Sequence, residues 1–169
     1  MNVLMPDHPA IDATQGENTM PMRLQDLSSS IVAVIEPETS ALVAAQLMRQ
    51  HHIGALVVVD STRKSHPIGI VTDRDLVLAL MAEGLDPAVF TVGDIMSVDP
   101  VLADSQLDAM DAIELMRLNC LRRLIVVDQG GRLSGIATME DVLELLAREL
   151  TALAVGLRGA RDREFEQRK

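Results

Sequence analysis

Two threonine–aspartate pairs carry most of the chemistry this chain has to offer. Thr72 and Asp75 close the heptad Gly69-Ile70-Val71-Thr72-Asp73-Arg74-Asp75, and Thr138 and Asp141 close Gly135-Ile136-Ala137-Thr138-Met139-Glu140-Asp141. A hydroxyl and a carboxylate at this spacing can cap a helix, the threonine oxygen accepting a helix-start N–H while the acid reaches back. They can also hold vicinal sugar hydroxyls, because a carboxylate accepts two O–H bonds strengthened by its charge. The helix N-terminus beside them favours an anion. One T-x-x-D alone is read as a cap. Repetition, the strand-to-helix position and the preceding glycine, which lets backbone or ligand come close, point to a ribose-plus-phosphate ligand.

The elements that position these pairs are themselves repeated. At an offset of 68 residues, Asp26, Ala41, Ala44, Leu47, Met48, Leu56, Val58 and Asp60 meet Asp94, Ala109, Ala112, Leu115, Met116, Leu124, Val126 and Asp128. The offset falls to 66 after a variable turn, Ser61 to Pro67 against Gln129 to Leu133. Length changes of this kind are tolerated in surface connections. In the first copy the pattern predicts a helical turn at Leu24, a strand from Ile31 to Ile35 and a helix from Ser40 to Gln50 with Thr39 or Ser40 as N-cap. Strands from Ala55 to Val59 and Ile68 to Val71 follow, then a helix from Asp73 to Ala82. The second copy repeats this from Val92. The near-continuous runs Leu56 to Val59 and Leu124 to Val127 suit strands covered on both faces.

The expected fold class is therefore α/β in the α+β sense, two β-α-β-β-α repeats packed by pseudo-twofold symmetry. Each half is marginal alone, so the halves are expected to share a core. The division is a flexible lead-in (1–21), repeat 1 (22–82), a linker (83–91), repeat 2 (92–150) and a C-terminal helical extension and tail (151–169). Leucines at 150, 153 and 157 read as core or dimer contact, with Gly156 and Gly159 weakening the helix.

Composition removes several classes of function. The 169 residues carry a net charge of −10 and two aromatics, Phe90 and Phe165, so a nucleic-acid platform of basic residues and stacking rings is not expected. No stretch has signal-peptide or membrane-span character, and a cytoplasmic protein is expected. The single Cys120 reads as a reduced, buried thiol. His51 and His52 diverge on a helix and read as a polar helix end, so no metal site is expected. No general base, nucleophile or metal cluster has the spacing catalysis needs, and no catalytic residue is expected.

From Leu24 to about Leu150 the sequence resembles a tandem pair of CBS domains, the Bateman module. The two heptads resemble that family's G-h-x-T/S-x-x-D/N signature, and Leu56 to Asp60 and Leu124 to Asp128 its central strand ending in Asp. The resemblance implies a regulatory, non-catalytic module that binds AMP, ADP, ATP or S-adenosylmethionine in clefts between the repeats. It implies Asp75 and Asp141 as ribose acceptors, with Thr72 and Thr138 beside them. It implies base walls shared across the repeats, Ala33 and Ile53 facing Asp141, and Val101 and Leu121 facing Asp75. The phosphate candidates are Arg122 and Arg123 for the second pair, where the first copy has Gly54 and Ala55. For the first pair they are Arg74, Lys64 or a partner subunit. A homodimer and an unidentified effector protein acting in trans are the implied partners. A structural dimerisation module with empty clefts, its Thr and Asp serving only as caps, is the competing expectation.

Overall fold

The β-branched runs become the central strands of two separate sheets. The computed structural model describes residues 22–167, and the lead-in expected over 1–21 lies outside the described residues. The first copy contains α1 (Leu24–Leu27), β1 (Val34–Ile35), α2 (Ala41–His51), β2 (Ala55–Val59), β3 (Pro67–Thr72) and α3 (Asp73–Leu76). The second contains a 3-10 turn (Val92–Asp94), β4 (Ser97–Val98), β5 (Leu102–Asp104), α4 (Ala109–Leu118), β6 (Arg123–Val127), β7 (Leu133–Thr138) and α5 (Met139–Gln167). One sheet runs β1-β2-β3-β4 and the other β5-β6-β7. In each, the first strand is parallel to the central one and the third antiparallel. Ser40 is the N-cap of α2, its side chain accepting from Val43 N–H.

Each sheet is finished by the other copy. β4 lies antiparallel to β3, Ser97 opposite Ile70. In the second sheet Ser29 bridges Ile136 in the matching place, with backbone bonds of 2.9 and 3.0 Å. The helical turns ahead of these segments cross over as well. Leu24, 1% exposed, is packed in the second copy's core with Met116 and Leu124, and its N–H donates to Leu107 O at 2.8 Å. Val92, 0% exposed, is packed in the first copy's core with Ile35 and Leu56, and its N–H donates to Thr39 O at 2.8 Å. A third cluster, Val57, Val59, Ile125 and Val127, joins the two sheets through their central strands. The packed halves are thus offset from the sequence repeats by the length of these exchanged segments.

The heptad glycines are explained by this crossing. A Cβ on Gly135 would lie 2.9 Å from Ser29 O and from Ser28 Oγ, and one on Gly69 would lie 2.9 Å from Ser97 O and 2.7 Å from Met96 Sδ. Of the two reasons for a glycine here, backbone approach is the operative one. Gly135→Ala is expected to lower stability by about 1–3 kcal/mol through overpacking, checked by urea unfolding. A substitution at Gly156, where nothing lies within 4 Å of an added Cβ, should show no such loss.

Three expectations are corrected. The strand expected from Ile31 is regular only over Val34–Ile35, because residues 31–33 pass from one sheet to the other. The helix after Asp73 widens into a π-helical turn over Val77–Met81, closed by Ala82 N–H to Val77 O at 3.0 Å. Cys120 is exposed rather than buried, since it occupies the left-handed position after α4 (φ 53°), as His52 does after α2 (φ 53°). The final helix continues through the two glycines expected to weaken it and runs to Gln167; Leu150, Leu153 and Leu157 are exposed on it, which removes the core half of the core-or-dimer expectation.

Candidate functional site

Pairing of the central strand with the strand after it fixes the site. In the second sheet Arg123 lies opposite Thr138, and in the first Ala55 lies opposite Thr72. A bulge at the far end of each pair, between Val58 and Val59 and between Val126 and Val127, leaves both registers the same. The segment crossing between the sheets passes over the Arg123–Thr138 end and closes a cleft of ≈ 270 Å³. Ala33, Ile53 and Val57 form its wall from the first copy, and Arg123, Ile136, Thr138 and Glu140 line it from the second. Ala33 and Ile53 also rest against the first core, which makes that wall firm.

At both heptads the threonine and aspartate form a closed unit. Thr138 N–H and Oγ1–H donate to Asp141 Oδ2 at 2.7 and 2.6 Å, and Asp141 N–H donates to Thr138 Oγ1 at 3.2 Å. The corresponding bonds at Thr72 and Asp75 are 2.8, 2.7 and 3.2 Å. One oxygen of each carboxylate is consumed. Among the described residues Oδ1 of each has no donor, and both acids are only half-buried, which leaves that oxygen as the unused acceptor of each pair. The same box occurs at Thr91 and Asp94, with bonds of 2.9 and 2.7 Å to Asp94 Oδ2. These bonds from the Thr91 N–H and hydroxyl hold the Asp94 carboxyl below its ordinary range. Cap geometry is therefore not specific to a site; the cleft beside it is.

The remaining site candidates fall in different places. Asp141 lines a neighbouring hollow of ≈ 130 Å³ with Asp26, Glu144 and Arg148, one helical turn from Thr138. Arg122 is exposed and its carbonyl accepts from Met139 N–H at 2.9 Å. Arg123 is the arginine that faces the cleft. On the first copy's side Val101 and Leu121 rest against the second core, and Arg74 lines a shallow hollow with Asp73, Val77 and Leu78. Lys64 is paired with Glu36 at 2.9 Å. Glu140 is the charged lining residue that sequence reasoning passed over, beside the apolar Val57 and Ile136. Its signal was a reversal of charge against Arg74 at the aligned position.

The aspartates ending the central strands are turn builders. Asp60 Oδ1 accepts from the Thr62 hydroxyl and from the N–H groups of Thr62 and Arg63 at 2.5, 2.8 and 2.9 Å, and these bonds hold its carboxyl far below the usual carboxylate range. The Arg132 guanidinium, 2.8 Å from Asp128, lowers that carboxyl in the same way. Among the described residues no group of three or more His, Cys, Asp or Glu gathers to hold a metal ion, and no helix is long and apolar enough to cross a membrane.

The CBS-domain family model matches residues 24–82 and 92–148. The chain belongs to the CBS-domain family. This CBS pair is 38% identical over 109 residues to an uncharacterised protein of Methanopyrus kandleri, a match covering 64% of this chain and 55% of that one. It is 34% identical over 119 residues to the CBS domain-containing protein YhcV of Bacillus subtilis, covering 70% of this chain and 81% of that one. The matched stretch thus spans little more than half of the first relative and most of the second. Among solved structures it is similar to CBSX2 in complex with AMP, with a TM-score of 0.64 and 29% identity over 75% of this chain and 96% of that one.

Proposed function

We propose that this CBS pair is a regulatory module that senses AMP in the cleft between its repeats and passes the signal to a partner protein. The observation that carries this reading is a cleft drawn from both copies, with an apolar wall at Ala33 and Ile53 and polar groups at Thr138 and Arg123. An adenine suits the wall, and the free oxygen of Asp141 suits the ribose. Arg123 suits a phosphate, an arginine being able to meet its oxygens bidentately. The cleft is near the small end of ligand pockets, about 300 Å³, and Glu140 offsets the charge of Arg123, so a monophosphate fits better than ADP or ATP. CBSX2, solved with AMP, supports the ligand class. Thr72 and Asp75, with Arg74, are the weaker second site in this proposal.

Thermal melting with AMP, ADP, ATP and S-adenosylmethionine tests it. At 100 times its Kd, AMP should add about 2.7 kcal/mol to stability and raise Tm by about 5–10 °C for a chain of this size. The cap-only reading has the Thr91–Asp94 box in its favour, and a melting temperature unmoved by all four compounds would decide for it.

A further inference from the structure

The leucines left exposed on α5 fall on one seam. Leu143, Leu146, Leu150, Leu153 and Leu157 are spaced alternately three and four residues apart, the a and d positions of a heptad. They are 45% to 73% exposed. The helix carrying them has 29 residues and is roughly 43 Å long. Every side chain from Leu146 to Gly159 is exposed. A helical extension with two glycines and no packed face is marginal in water on its own. An apolar 3.5-residue seam is what a partner helix would cover.

We propose that this seam pairs antiparallel with the same seam of a second copy of the chain. Charge decides the orientation. The start of α5 is acidic, with Glu140, Asp141, Glu144 and Glu149 against Arg148, while the stretch from Arg158 to Arg163 carries Arg158, Arg161 and Arg163 against Asp162, with Glu164 and Glu166 beyond it. Parallel pairing sets the two acidic starts together, and antiparallel pairing sets each acidic start beside the arginine-bearing stretch from Arg158 to Arg163. Spacing supplies the register. With Leu150 opposite Leu153 of the second copy, Leu146 faces Leu157 of that copy. Ala147 then lies beside Ala154, and Glu149 beside Gly156, so the flanks are small enough for close approach. Arg158 to Arg163 come level with Glu140 to Glu144. Two such seams with their flanks bury on the order of 1,000 Å², the size a specific interface needs.

Light scattering on the full chain tests the pairing. Leu150→Glu with Leu153→Glu should halve the mass of the assembly while circular dichroism of the CBS pair and its melting stay as in wild type. Both leucines are exposed, so the substitutions leave no buried core disturbed. A wild-type chain that is monomeric at micromolar concentration, or a mass unchanged by the double variant, overturns the proposal. Orientation is read by disulfide trapping in a Cys120→Ser background. A mixture of Leu146→Cys and Leu157→Cys chains should form the mixed disulfide dimer, and Leu157→Cys alone should not cross-link. Self-cross-linking of Leu157→Cys in preference to the mixed dimer overturns the antiparallel arrangement.

Discussion

Asp141→Ala is expected to weaken AMP binding at the Thr138 cleft by about 10- to 150-fold, the equivalent of the 1.5–3 kcal/mol that a hydrogen bond to a charged group contributes. The ribose would be held by the one carboxylate oxygen that the cap leaves free, since Oδ2 is already engaged by Thr138 N–H and Oγ1–H. Asp141→Ala also breaks the capping box, at a cost of about 1 kcal/mol of stability. The two effects are separated by Asp94→Ala, which removes the same box beside Thr91 but outside the cleft lining. That variant should lose comparable stability and keep AMP affinity. Calorimetry at one temperature, with both variants folded, gives the comparison. Equal affinity in Asp141→Ala and wild type would remove the ribose role and leave the acid as a cap.

Leu24→Ala is expected to destabilise the protein by about 2–5 kcal/mol, the range for emptying a buried leucine site. The location of the damage is the sharper part of this expectation. Leu24 opens the first copy, yet it is packed with Ala103, Ala112, Met116 and Leu124 of the second. Hydrogen exchange should therefore show lost protection first in α4, β6 and β7, with β2 and β3 following. Ile31→Ala, seven residues on and exposed, should stay within about 0.5 kcal/mol of wild type. Protection lost first in β2 and β3 would mean that the exchanged packing is absent in solution.

The contrast between these two residues marks where sequence reading succeeds and where it stops. Runs such as Leu56 to Val59 are legible because burial on both faces demands continuous β-branched apolar residues, and β2 spans Ala55–Val59 as the pattern requires. The heptads are legible because a strand end, a cap and a helix start all constrain the same seven residues. The crossing of α1 and the Val92 turn is not legible, because a four-residue turn with one buried leucine looks the same whichever core receives it. Gly135 announces only that something comes close. That the neighbour is Ser29 rather than a ligand is a matter of chain path. Cys120 misleads because a small apolar side chain is ordinarily buried, whereas its left-handed backbone at the end of α4 holds it at the surface. Within the site, Thr138, Arg123 and the Ala33–Ile53 wall converge on one cleft. Arg122 stands just ahead of β6 and Arg123 begins it, a one-residue boundary that the sequence pattern does not resolve.

The exchange of segments also orders events in time during synthesis. Leu24 and Ser29 leave the ribosome early, but their partners Leu107 and Ile136 are made about a hundred residues later, roughly 5 to 20 s at the usual rate of elongation. Through that interval α1 has no core to enter and the first sheet lacks β4 until Ser97 emerges. The nascent first copy must therefore persist with an open edge and an unburied leucine. The first half closes once Val92 and Ser97 have emerged, and the second closes over Leu24 and Ser29 only when Ile136 follows.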